Sequence, residues 1–287
     1  MYLILVSGTA LLFQQSRFFM EVVMRIIDFH THIYPPKIAS KAVSSVGDFY
    51  NLKMHGRGTA GDLIEQGKEC GITSYVILPV AVTPHHVEHI NNFAAEEVMQ
   101  HPEFYGFGTT HAEYENKIGE AERVVSLGLK GIKIHPDTQG FNIDDERMFE
   151  FYDFLQQTDM PIIMHCGDYR YTYSHPKRLK KVLGMFPKLT VIAAHFGGWS
   201  VYDLAYEYLK DEKCYLDTSS SFKMLGNERS KELIKMYGAE RIVFGSDFPM
   251  RNSFKELETF LSFGLSDSEN ELILHKNAEK ILKIKEV

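Results

Sequence analysis

PIIMHCGDYRYTYSHPKRLKKVLGMFPKLTVIAAH, residues 161–195, sets two short apolar runs on either side of one amphipathic stretch. PIIMHC (161–166) and LTVIAAH (189–195) are apolar almost throughout, as strands covered on both faces are. Between them, HPKRLKKVLGMFP (175–187) repeats apolar residues at helical spacing. A strand, a helix and a second strand make a parallel unit.

The unit recurs in both directions. Upstream runs are RIIDFH (25–30), TSYVILP (73–79), FYGFGTT (104–110) and LKGIKIH (129–135); downstream runs are KCYLDTS (213–219) and RIVFGSD (241–247). Helical stretches are expected at 59–71, 83–102, 113–128, 144–158, 199–211, 228–238 and 253–264, with a last one at 266–284. Eight strand-helix units in one chain of this length predict an α/β fold, a single closed (β/α)8 TIM barrel. The other architecture for such alternation is an open, doubly wound sheet. Neither G-x-G-x-x-G nor G-x-x-x-x-G-K-[ST] follows an early strand, so no nucleotide-binding version of it is supported. Two connections read as long loops, 33–58 and 166–175, and both belong to the C-terminal face of a barrel, where active sites are built.

Composition narrows the class. The 287 residues are 44% hydrophobic and 24% charged, with a net charge of −7 and no long basic block. That excludes nucleic acid or an anionic membrane as the main partner and leaves a small-molecule substrate. Three widely spaced cysteines, Cys70, Cys166 and Cys214, suit reduced thiols in a cytoplasmic protein better than a disulfide framework. MYLILVSGTALLF (1–13) is apolar but lacks a preceding basic residue, and a bilayer span needs roughly 20 residues. Residues 1–23 therefore read as an extension upstream of a natural start at Met24, with the barrel domain occupying 24–287. Trp199 and YDLAYEYL (202–209) offer an aromatic surface for a homodimer or for packing on the barrel.

Polar residues at strand ends carry the chemistry. His30 and His32 end the first run, His135 the fourth, His165 the fifth, His195 the sixth and Asp247 the eighth. In a strand, positions two apart share a face, so H-x-H can present both imidazoles to one ion. Asp28 has the same phase, one layer deeper. His165 and Asp247 complete an N3O set that suits Zn2+, and also Mn2+, Fe2+ or Co2+. Such a set leaves room for water, which is a catalytic arrangement. His195 is expected beside the metal as an acid or oxyanion stabiliser, with a fifth ligand as its other reading, and Gly197 and Gly198 are expected to allow close approach of substrate. His135 is expected to line the pocket and touch substrate. Lys133 is expected to pair with a buried acid such as Asp28, or, carbamylated, to bridge two metals. His85 and His89 are expected to face solvent. Cys166 should point away from His165, and no G-x-S-x-G occurs, so neither a cysteine nor a serine hydrolase is supported.

The order H-x-H, G-x-K-I-H-P, strand-five His, A-H-x-G-G and G-S-D-x-P resembles the amidohydrolase superfamily. Within it, the chain resembles the amidohydrolase-related branch that includes aminocarboxymuconate-semialdehyde decarboxylase, over about residues 24–284. The resemblance implies a (β/α)8 barrel with one divalent metal, usually zinc, held by His30, His32, His165 and Asp247 with His195 as catalytic group. It also implies two chemistries. In the first, metal-activated water, deprotonated by Asp247, attacks an amide, lactone or ester carbonyl of a small carboxylate-bearing substrate. The alternative is non-oxidative decarboxylation of an unsaturated or aromatic acid. Hydrolysis is the broader expectation. Arg57 and Arg170, from the two long loops, are expected to bind substrate carboxylate.

Overall fold

A computed structural model describes residues 25–284. The expectation about residues 1–23 lies outside the described residues. The strands are β1 (Ile27–Thr31), β2 (Ser74–Ile77), β3 (Phe104–Gly106 and Gly108–Thr109), β4 (Ile132–Ile134), β5 (Ile162–Met164), β6 (Val191–Ala193), β7 (Tyr215–Asp217) and β8 (Ile242–Val243). Neighbours pair in parallel in chain order. Phe107 interrupts β3, yet its N–H still bonds the Ile77 carbonyl at 3.0 Å. The circle closes between β8 and β1, where the Phe29 N–H bonds the Phe244 carbonyl at 2.8 Å and the His32 N–H bonds the Phe248 carbonyl at 2.7 Å. Seven of the eight strands fall inside the apolar runs and β1 passes the end of its run by one residue, Thr31; the fold is the TIM barrel.

Helices follow the strands: α1 (Pro36–Tyr50), α2 (Ala60–Lys68), α3 (Val87–Gln100), α4 (Lys117–Ser126), α5 (Phe149–Gln157), α6 (Pro176–Met185), α7 (Tyr202–Leu209), α8 (Phe222–Tyr237) and α9 (Ser253–Leu261). The closing stretch is helical from Asp267 to Leu282, with a π-helical turn at Leu272–Lys276. One core cluster fills the barrel, with Phe29, Val76, Phe107, Ile163, Ile192 and Val243 among its members. A larger one lies between the strands and the helices. Both rest on burial of apolar area, the dominant favourable term in folding.

Two expectations are corrected here. Residues 33–58 are not an open loop, because α1 occupies 36–50. Pro36 opens that helix at a position where proline costs nothing, and Ile38, Ala42, Val46 and Phe49 fall on one side of it. The strict alternation expected along β1 also fails. Phe29 is in the barrel's interior cluster, whereas Asp28 accepts the N–H of Ser246 at 2.8 Å on the other side of the strand. The pairing of β1 with β2 shifts register between Asp28 and Thr31, and this irregularity turns His30 into the mouth.

Candidate metal centre and active site

His30 and His32 meet at the mouth with their Nε2 atoms 3.1 Å apart. Asp247 Oδ1 lies 3.6 Å from the first and 3.4 Å from the second. Asp247 reaches them from a left-handed backbone, φ 67°, an unfavourable conformation for a residue with a Cβ that is typical of functional sites. Its other oxygen accepts the Ser220 hydroxyl at 2.6 Å. His195 adopts a left-handed backbone as well, φ 59°, and presents Nε2 to His165 Nδ1 at 3.0 Å. Neighbouring rings run in a chain from His32 through His30, His195 and His165 to His135, with centroids 3.9 to 5.1 Å apart.

The second ring nitrogens decide what this cluster can bind. His30 Nδ1 faces Asp217 Oδ2 at 2.7 Å, and His32 Nδ1 faces the Leu78 carbonyl at 2.6 Å. His165 Nε2 faces the Gly167 carbonyl at 2.9 Å, and His195 Nδ1 faces the Ser219 carbonyl at 2.9 Å. Each imidazole therefore spends its one N–H on an acceptor, which leaves four lone pairs and a carboxylate oxygen turned toward one another. Burial disfavours the charged form of the four most enclosed rings: it pushes His30 down to about 3, aided by Lys133, lowers His195, and holds His135 and His165 well below the usual histidine range. Neutral imidazoles with opposed lone pairs repel unless a cation joins them, so the donor set fits a divalent metal. His30, His32 and Asp247 form one close set, while His165 opposes His195 rather than closing on that trio.

Asp217 escaped the sequence reading. It accepts from His30 Nδ1, from the backbone N–H of His195 at 2.9 Å and from that of Ser219 at 3.0 Å, so one buried carboxylate positions two histidines. It ends β7 within the seventh run, KCYLDTS, and the strand-end criterion that singled out the histidines also marks it. Asp137, in the turn after β4, was missed too. It accepts the Ser174 hydroxyl at 2.5 Å, lies 3.4 Å from His165 Nε2, and is pushed up to about 6 by burial.

Lys133 does not pair with Asp28, whose Oδ1 takes backbone N–H groups instead. The Lys133 ammonium lies in the cavity, fully buried and 3.4 Å from His30 Nε2, and burial lowers it to about 8. His135 lines the cavity, stacks on His165 and faces the Tyr50 hydroxyl at 2.7 Å. Arg57 and Arg170 do not join them. The Arg57 guanidinium is spent on Asp62 and Glu65 and is 71% exposed. Arg170 is paired bidentately with Asp168, bonds the Phe49 carbonyl and packs on the rings of Phe49, Tyr50 and Tyr171. Local acids captured both cations before any ligand could. Gly197 and Gly198 serve packing rather than substrate: a Cβ on either would collide with Leu209 or Ala205 of α7 at 2.5 Å. Trp199 packs edge-on against Tyr50, ring centroids 5.0 Å apart. His89, expected in solvent, is exposed at the cavity rim.

The cavity above the donors has a volume of about 490 Å3 and lies between α1 and α3. Its walls are mainly aliphatic and aromatic. No helix among the described residues is long and apolar enough to cross a membrane.

Comparison with known proteins places these features in a family. The amidohydrolase family profile (Amidohydro_2) matches residues 27–284. A curated relative, the decarboxylase orsB of Emericella nidulans, is 25% identical over 119 residues, 37% of this chain and 35% of the relative. The match thus spans about a third of that relative's length. Among solved structures, a dihydroxybenzoic acid decarboxylase from Polaromonas sp. JS666, with bound manganese and the inhibitor 2-nitroresorcinol, superposes with a TM-score of 0.71 at 17% identity, covering 92% of this chain and 98% of that one. A probable 2-pyrone-4,6-dicarboxylic acid hydrolase from Acinetobacter baumannii, with bound citric acid, superposes at 0.66 and 17% identity, covering 91% and 100%. These two likenesses show the barrel, and the family match extends across nearly all of it: the chain belongs to the amidohydrolase family.

Proposed function

We propose that this protein is a metal-dependent, non-oxidative decarboxylase of a small unsaturated or aromatic acid. The observation that carries the reading is the wall of the cavity. A carboxylate bound between the histidine cluster and Lys133 leaves water for apolar surroundings. Charge is costly there, and neutral CO2 is not. Hydrolysis, the broader sequence expectation, gains less from such a wall, because its nucleophile is water. The decarboxylase named above as a curated relative supports the same preference. Lactone hydrolysis remains the second reading, favoured by one fold neighbour.

His30, His32 and Asp247 would hold the metal, with His165 and His195 facing the same space. A divalent ion there, zinc or manganese, would supply a Lewis acid for the substrate's oxygen atoms. The chain's own residues do the rest. Lys133 holds the substrate carboxylate beside His30. Asp247, held as a carboxylate against the effect of burial by the imidazoles of His32, His30 and His195 around it, takes the proton of a substrate hydroxyl and returns it to the carbon that bears the carboxylate. The C–C bond to the carboxylate then breaks, its electron pair stays with the ring or double bond, and CO2 leaves. His135 donates Nε2–H to the Tyr50 oxygen, because its Nδ1 accepts from the Thr138 N–H. The Tyr50 hydroxyl proton is thereby free to bond substrate.

The test is product analysis. Protein loaded with Mn2+ or Zn2+ is incubated with hydroxybenzoates, carboxylated dienes, lactones and amides. CO2 release that disappears in His30→Ala supports the reading. Acid release from a lactone or amide with no CO2 from any acid would overturn it.

A further inference from the structure

The cavity is larger and more apolar than a single carboxylated ring requires. At about 490 Å3 it falls within the range that holds a drug-sized ligand. Its polar groups gather at one end, around His30, His32, Asp247, Lys133 and Asp137. From there it runs outward between two apolar faces. One is α1, through Val46, Ala42 and Ile38; the other is Val80 and Val82 after β2, continued by Phe93 of α3. Ile38 is 51% exposed and Val82 54% exposed, so the apolar lining continues to the surface, where His89 stands beside it at the rim. Among the described residues that line the cavity, Lys133 is the one lysine, and arginine is absent. A second anionic group on the substrate would meet Asp137 and Asp247 at the inner end and, along the two faces named, mainly hydrocarbon, with no lysine or arginine to pair with it.

We infer that the natural substrate carries one carboxylate at the metal end and an apolar substituent several carbons long, lying between α1 and the segment Val80–Val82 and reaching Ile38 and Val82. The inference rests on the proposed function for the position of the carboxylate, but not for the reaction. Ala42 is the smallest of these wall residues and lies between Ile38 and Val46 on α1, so its small side chain leaves width for that substituent.

The test is calorimetric binding to full-length protein loaded with Mn2+, using benzoate, 4-methyl-, 4-propyl- and 4-pentylbenzoate, with terephthalate as the dianion. Each methylene buried in hydrocarbon is expected to tighten binding about fourfold, until the chain reaches the mouth. Terephthalate is expected to bind no better than benzoate. Ala42→Phe should flatten the rise beyond methyl. Should that variant fail to fold, Val82→Asp at the exposed mouth should flatten it for pentyl first. Affinity that is level along the series, or tighter for terephthalate, overturns the inference. The two proposals separate cleanly. Rising affinity without CO2 release from any acid would sink the decarboxylase reading alone, and CO2 release with level affinity would sink this one alone.

Discussion

Replacing Asp217 by Asn tests whether the histidine cluster is a metal centre organised from behind. The substitution keeps shape and removes charge. Asp217 Oδ1 accepts two backbone N–H groups, from His195 and Ser219, and also the Ser219 hydroxyl at 2.5 Å. In the Asp217→Asn variant the amide oxygen must stay on that side, because an NH2 group there would oppose two N–H donors. The amide nitrogen then faces His30 Nδ1 across the 2.7 Å contact that the carboxylate now fills. Two donors cannot share that contact. His30 must move its proton to Nε2, and a protonated Nε2 no longer ligates. Loss of an outer partner of this kind typically costs about 10–100-fold in metal affinity, or about 1.4–2.7 kcal/mol. The tautomer conflict places Asp217→Asn toward the upper end. The assay is Mn2+ competition against a chelating indicator, with circular dichroism of the metal-free protein as the control for folding. A folded Asp217→Asn protein with unchanged metal affinity would refute both the tautomer assignment and the reading of the cluster as a metal centre.

Other outcomes follow from neighbouring groups. Stripping metal with a chelator should abolish turnover and lower the melting temperature by roughly 5–10 °C at metal concentrations near 100 times Kd, with both restored by Mn2+ or Zn2+; a melting temperature indifferent to metal would speak against the site. Tyr50→Phe should cut kcat/KM about tenfold by removing the hydroxyl that bonds His135, while metal affinity stays put; an equal loss of metal affinity would show that Tyr50 acts on the cluster and not on substrate. Glu256 is buried with Oε2 unpartnered, and burial raises it to about 7. Its folded-state value lies above the unfolded one, so stability is lost as pH rises from about 4.5 through about 7. Glu256→Gln, neutral throughout, should match the parent at pH 4 and exceed it by up to about 3 kcal/mol at pH 8, read from urea unfolding at both pH values. An identical difference at the two pH values would mean that Glu256 is ionised in the native state.

What could be read from the sequence was whatever repeats or ends a strand. Buried parallel strands are nearly pure apolar runs, so a His or Asp closing one stands out, and His30, His32, His135, His165, His195 and Asp247 were all found on that criterion. Asp217 satisfies the same rule less visibly, because Thr and Ser follow it inside the run KCYLDTS. The side chains' partners were a different matter. Alternation along β1 predicted that Asp28 points with His30, and a local register shift breaks that link; such irregularities follow from three-dimensional pairing, which has no local signal. Arg57 and Arg170 failed for an electrostatic reason. Asp62 and Asp168 stand five and two residues away, and a guanidinium near a carboxylate in sequence is satisfied before a substrate arrives. The helix α1 was hidden by its own start, since Pro35-Pro36 after a strand reads as a loop, although Ile38, Ala42, Val46 and Phe49 already keep helical spacing behind it. That omission mattered most for function. The barrel dictates where the metal donors stand, because strand ends converge whatever the substrate. One wall of the cavity above those donors is built by α1, an inserted helix that the barrel pattern leaves free, and the other by Val80, Val82 and Phe93, so half of the surface proposed to choose the substrate lies in a segment that the strand-helix repeat could not predict.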